Sequence, residues 1–107
     1  MPIEPRTDGT VIARLTDDPG LSAEMDALLD RPPHEAVRVI LDFTAVRYVN
    51  SSNIARLLRL RRTLIEKDGR LIICGLGPQV QSVFDVTGLD KIFHFAADCA
   101  AAEAQSP

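Results

Sequence analysis

Two short runs, Val39-Ile40-Leu41 and Leu71-Ile72-Ile73-Cys74, are apolar at every position, and a long stretch with helical spacing separates them. A run of this kind has no polar face to offer water, so a strand built from it must be covered on both sides. Joining two such strands through a helix predicts a βαβ unit with parallel strands, and the expected crossover is right-handed. Neither run is long enough to span a bilayer.

The rest of the chain repeats this alternation. Val11-Ile12-Ala13-Arg14-Leu15 reads as the first strand. Asp18 can cap a helix with Pro19 at its first position, Ser22 being the other candidate cap, and Leu21, Met25, Leu28 and Leu29 recur at helical spacing until Arg31-Pro32-Pro33-His34 stops it. In the central helix Ile54, Leu57, Leu58, Leu64 and Ile65 share one face and Arg56, Arg59 and Arg62 the other. Arg61 projects into the apolar arc and is expected to snorkel along its aliphatic stem, and Gly69 suits the left-handed closing position. A third helix begins near Pro78, carries Val80, Val83 and Phe84 on one face and ends at Gly88. Ile92-Phe93-His94-Phe95 reads as a short strand near an edge, and Asp98 as the cap of a small helix through Ala104. The predicted fold is α/β: a mostly parallel sheet of βαβ units with about four helices, mainly on one face.

Length and charge narrow the function. The 107 residues suffice for one domain with one core, not for a second lobe around a cofactor. Net charge is −3 but unevenly spread: residues 1–37 hold eight acids and three arginines, whereas residues 38–70 hold eight basic residues and three acids. Arg56, Arg59, Arg61 and Arg62 are either a solvated helix face or a local contact for an acidic partner; a net acidic chain is poorly suited to nucleic acid. The N-terminus, Met1-Pro2-Ile3-Glu4-Pro5, shows no basic segment backed by an apolar one. Cys74 and Cys99 are too few for a disulfide framework or a zinc site. The expectation is a cytoplasmic protein with no membrane segment and no cofactor or metal.

The stretch from Val39-Ile40-Leu41-Asp42-Phe43-Thr44 through Tyr48-Val49-Asn50-Ser51-Ser52-Asn53 to Ile54-Ala55-Arg56-Leu57-Leu58 resembles the STAS family, the anti-sigma factor antagonists and their relatives. In that family a buried strand and an Asp-containing turn lead to an Asp-Ser-Ser/Thr-Gly motif that opens a leucine-rich helix. Gly69-Arg70-Leu71-Ile72-Ile73-Cys74-Gly75-Leu76 and Thr87-Gly88-Leu89 are similar to the segments that follow, so the resemblance spans about residues 9–104. Asn50 and Asn53 stand where the family has Asp and Gly, Thr16-Asp17-Asp18-Pro19 departs from a Gly-Glu-Leu-Asp pattern, and the family's leading strand is barely recognisable in residues 1–8. The resemblance implies a partner that is both anti-sigma factor and serine kinase. Its phosphorylation target would be Ser51, with Ser52 as second choice, and the unphosphorylated form would bind.

Elementary chemistry is compatible with that role. A serine at a helix start lies beside unsatisfied backbone N–H groups, where an anion gains about 0.3–1 kcal/mol. Phosphate adds about −1.5 to −2 charge, enough to repel an acidic partner. The competing reading is that Asn50, Ser51, Ser52 or Asn53 simply caps the helix, since all four are favoured there. Asn50 keeps the shape of the family's acid without its charge, and Asn53 adds a side chain where a partner would approach. A constitutive, unphosphorylated scaffold or ligand-sensing module is therefore the alternative.

The expected contact surface joins Tyr48, Asn50, Ser51, Ser52, Asn53 and Arg56, with Asp17 and Asp18 at the same end of a parallel sheet. Tyr48 can pack beside Val49 or stand beside the serines; packing is the simpler reading. Enzymatic readings are weaker. Cys74 before Gly75-Leu76-Gly77-Pro78 suggests a thiol nucleophile or a phosphate cradle, but the glycines match no nucleotide fingerprint. His34 and His94 sit in no catalytic pattern, and Asp42 is better placed to order its turn than to act as an acid. Phe84, Phe93 and Phe95 read as core.

Overall fold

The computed structural model describes residues 3–5, 10–30, 38–98 and 100–101. In chain order these form β1 (Ile3–Pro5), β2 (Thr10–Thr16), α1 (Gly20–Asp30), β3 (Arg38–Ala45), α2 (Ser51–Glu66), β4 (Arg70–Cys74), α3 (Pro78–Thr87), a 3-10 turn (Leu89–Lys91) and β5 (His94–Ala96). The strands lie in chain order, β1-β2-β3-β4-β5. β2 to β5 run parallel and β1 pairs antiparallel with β2. The α/β fold with a mainly parallel sheet is as the sequence predicts, and β5 is indeed an edge.

The apolar runs are covered on both faces, though unequally. Register sets Val11 beside Val39 beside Leu71, and Ala13 beside Leu41 beside Ile73. These side chains join Leu21, Met25 and Leu28 of α1, Leu57, Leu60 and Leu64 of α2, and Val80 and Phe84 of α3 in one large core. α1, α2 and α3 thus pack on the same face. The alternate residues Ile12, Ile40, Ile72 and Cys74 form a smaller buried cluster on the other. Phe84 meets Phe93 and Phe95 edge to face, at centroid distances of 5.8 and 5.6 Å, so the aromatics are core as expected.

Several local expectations change. α2 buries Asn53, Leu57, Leu60 and Leu64, while Leu58 is 38% and Ile65 51% exposed. The apolar positions of α2 fall in two neighbouring stripes, and only the first points into the core. α2 closes on Asp68, not Gly69, in the left-handed conformation (φ 59°). The N–H of Gly69 reaches the Leu64 carbonyl at 2.7 Å and that of Asp68 reaches Ile65 at 3.1 Å, a Schellman closure in which glycine follows the left-handed residue. Pro19 precedes α1 instead of opening it, and its carbonyl accepts from Ala23. α3 runs as predicted, from Pro78 to a left-handed Gly88. Asp98 accepts the N–H of Ala101 at 2.8 Å, as a cap would; Cys99, residues 102–104 and Arg31-Pro32-Pro33-His34 lie outside the described residues.

Candidate functional site

The C-terminal ends of β2 and β3 bring the β2–α1 loop beside the β3–α2 turn, and the site is built from both. Asn50 is the N-cap of α2. Its side-chain oxygen accepts the N–H of Asn53 at 2.9 Å, and the Asn53 side chain accepts the N–H of Asn50 at 3.0 Å, closing a reciprocal capping box. The capping role that any of four residues could have filled therefore falls to the two asparagines. Ser51 and Ser52 become the first two helical residues, and both are exposed. The Ser51 hydroxyl has no hydrogen-bond partner among the described residues. The Ser52 hydroxyl accepts from Arg56 Nη1, and Arg56 Nε donates to Asp26 of α1 at 2.8 Å.

Asn53 is the residue whose placement departs most from expectation. It is 2% exposed, so it presents no side chain to a partner and its part lies behind the surface. Its Nδ2 donates to Asp18 Oδ2 at 3.1 Å and to the Ser22 hydroxyl at 3.3 Å, tying α2 to the loop before α1. Asp18 also accepts the Ser22 N–H at 2.8 Å and its hydroxyl at 2.7 Å. Asp17 Oδ1 accepts the N–H groups of Arg47 at 2.7 Å and Tyr48 at 3.3 Å, while Arg47 Nε approaches Asp17 Oδ2 at 3.5 Å.

These bonds fix the charges. The Arg47 backbone N–H chiefly holds the Asp17 carboxyl below its ordinary range, and the Ser22 hydroxyl chiefly does so for Asp18, with Asn53 contributing. Both stay ionised at neutral pH. They line a shallow depression of about 210 Å³ with Tyr48, Val49, Asn50 and Asn53. Tyr48 is 68% exposed, so it stands at the rim instead of packing inward. Asp17 and Asp18 thus place two carboxylates in the depression that Asn50 also lines.

Seven of the expected contact residues are gathered at this end, and Arg56 lies one helical turn along. Sequence reasoning missed Asp26 as the anchor of Arg56 and Ser22 as a partner of Asn53; both sit some thirty positions away in the chain and leave no local signal. The features read as catalytic have structural settings. Cys74 is completely buried, so its thiol has no access to substrate. Asp42 accepts the N–H and hydroxyl of Thr44 at 2.8 and 2.5 Å and orders the turn, as expected. No cluster of metal-ligating side chains occurs among the described residues.

A parallel sheet with helices on one face, carrying an exposed serine pair at the mouth of a central helix, defines a STAS-type domain. The STAS domain family profile matches residues 11–102, and the chain belongs to that family. It is 33% identical over 84 residues to BtrV of Bordetella bronchiseptica, a candidate anti-sigma factor antagonist, covering 78% of this chain and 70% of BtrV. Among solved structures, a candidate anti-sigma factor antagonist from Thermotoga maritima superposes with a TM-score of 0.78 at 15% identity, over 95% of this chain and 90% of that one. The unphosphorylated form of the anti-sigma factor antagonist SpoIIAA gives 0.75 at 22% identity, over 94% and 91%. The phosphorylated form, from Bacillus, gives 0.65 at 23%, over 94% and 95%. The fold is that of the anti-sigma factor antagonists.

Proposed function

We propose that this chain is an anti-sigma factor antagonist: a cytoplasmic interaction module that binds an anti-sigma factor with serine kinase activity and is released when Ser51 is phosphorylated. The observation that carries the reading is the Ser51 hydroxyl. It is exposed at the first turn of α2 and is spared from capping by the Asn50–Asn53 box. Its chain neighbours are Asn50, which lines the depression with Tyr48 and the carboxylates of Asp17 and Asp18, and Ser52, whose hydroxyl accepts from Arg56. The family membership supports the pathway, and SpoIIAA exists in phosphorylated and unphosphorylated forms. A phosphate on Ser51 brings a bulky dianion to a contact surface without any need to refold the domain.

The test is incubation with the cognate kinase and ATP, followed by mass spectrometry. One phosphate on Ser51 is expected; labelling elsewhere, or none with an active kinase, overturns the switch. Ser51→Asp is expected to weaken partner binding by on the order of tenfold relative to Ser51→Ala, read by titration calorimetry. Equal binding by both variants favours the constitutive scaffold, the reading to which Asn50 in place of an acid points.

A further inference from the structure

The two serines that open α2 are chemically unequal. They are consecutive, so their side chains leave the helix about 100° apart. Ser52 shares a face with Arg56, four residues on, and Arg56 reaches from that face to α1. Arg56 Nε donates to Asp26 Oδ1 at 2.8 Å and Nη2 to Asp26 Oδ2 at 3.5 Å, so one carboxylate holds two nitrogens of the guanidinium fork. The third nitrogen, Nη1, donates to the Ser52 hydroxyl and approaches the Ser52 carbonyl at 3.4 Å. The Arg56 side chain is 24% exposed, so it is packed between its partners instead of extended into water. None of its bonds goes to Ser51, whose hydroxyl has no partner among the described residues.

Phosphoryl transfer is sensitive to this difference. The attacking serine oxygen forms a bond to the γ-phosphorus of ATP, the bond to the β–γ bridging oxygen breaks, and ADP leaves with that electron pair. The hydroxyl proton passes to a base of the kinase. The hydroxyl must therefore offer a lone pair in line with the breaking bond, at about 3–3.5 Å from phosphorus. At Ser52 a cationic donor occupies a lone pair and holds the oxygen on the side of Arg56 and Asp26. Attack by Ser52 requires that charge-assisted bond to break first. Ser51 carries no such restraint, and its hydroxyl can turn to meet the phosphate.

We propose that Arg56, anchored on Asp26, is a positioning residue that withholds the Ser52 hydroxyl and so directs a serine kinase to Ser51. The proposal rests on the reading of this surface as a kinase substrate and adds what decides the choice within the serine pair. The selection is a property of the packed molecule. Asp26 stands 30 residues before Arg56, and only α1 docked beside α2 brings its carboxylate to the guanidinium.

The test maps phosphate by mass spectrometry on the full chain after incubation with the anti-sigma factor kinase and ATP. The native chain is expected to carry phosphate on Ser51 with Ser52 a minor site, and Arg56→Gln to raise the ratio of Ser52 to Ser51 labelling about tenfold. Arg59→Gln, the same change on another side of α2, is expected to leave that ratio within about twofold. A loosened fold would raise both labels together, so the ratio separates selection from stability, and circular dichroism checks that each variant is folded. A second arm needs no kinase: phosphoserine is encoded in place of Ser52 or of Ser51, and phosphorus NMR follows its second ionisation. The phosphate at position 52 is expected to lose its proton about half a pH unit or more below the one at position 51, and Arg56→Gln to erase the difference. An unchanged ratio in Arg56→Gln, or equal titration of the two phosphates, overturns the selection and leaves phosphorylation of Ser51 standing. A native chain labelled mainly on Ser52, or on neither serine by an active kinase, overturns the proposed switch and the selection with it.

Discussion

Asn53 shows how a single side chain can serve two structures at once. Its oxygen completes the α2 cap and its nitrogen holds Asp18 and Ser22, so a polar residue is buried with its hydrogen-bonding capacity used. A glycine there could make neither set of bonds. Asn53→Ala is expected to cost about 1–3 kcal/mol, because it strips partners from the Asn50 N–H and from Asp18. Asn50→Ala, which removes one cap acceptor at an exposed position, is expected to cost about 1 kcal/mol. Urea unfolding of the two variants and their double mutant should show the double falling short of the sum, since both belong to one network. A smaller loss for Asn53→Ala than for Asn50→Ala would contradict the bridging role.

At the level of elements, the phase of α2 is decisive. The rows 53-57-60-64 and 54-58-61-65 are displaced by one residue, and the sequence favours either. The sheet selects the first, because Leu60 is fully buried among strand residues whereas Leu58 remains partly in water. Leu60→Ala is therefore expected to cost about 2–5 kcal/mol and Leu58→Ala about 0.5 kcal/mol, measured as denaturation midpoints at constant slope. Similar losses for the two would mean that the helix is rotated. β1 has a different origin. Ile3-Glu4-Pro5 carries no strand pattern, yet it pairs with β2, where proline is tolerated because an edge strand need not donate outward.

For the whole molecule, the two loops of the site are held together by carboxylates, and that makes its stability dependent on acid. Asp17 and Asp18 have folded-state pKa values below the unfolded one, so their contribution is fully present above about pH 4 and is lost as pH falls through the lowered values. The denaturation midpoint is expected to be flat toward neutrality and to drop below about pH 4. The double variant Asp17→Asn, Asp18→Asn is expected to start lower and to lose less on acidification. An identical acid limb in that variant would show that other carboxylates carry it.

The sequence alone determined the alternation of strands and helices, the parallel sheet, the α3 boundaries and the place of the serine pair, because each rests on local periodicity or on turn chemistry within a few residues. It also brought the family into view through the segment from Val39 to Leu58. What it left open was decided by contacts between distant parts of the chain. The choice of Asn50 over Ser51 as the cap, the burial of Asn53, the exposure of Tyr48 and the rotation of α2 all depend on which surface lies opposite. Asp18 and Asp26, far from α2 in sequence, settle two of those choices by hydrogen bonds that form only once the helices have packed. Local signals specify which elements can form; only the packed core selects the face each one turns inward, and with it the residues left for a partner to meet.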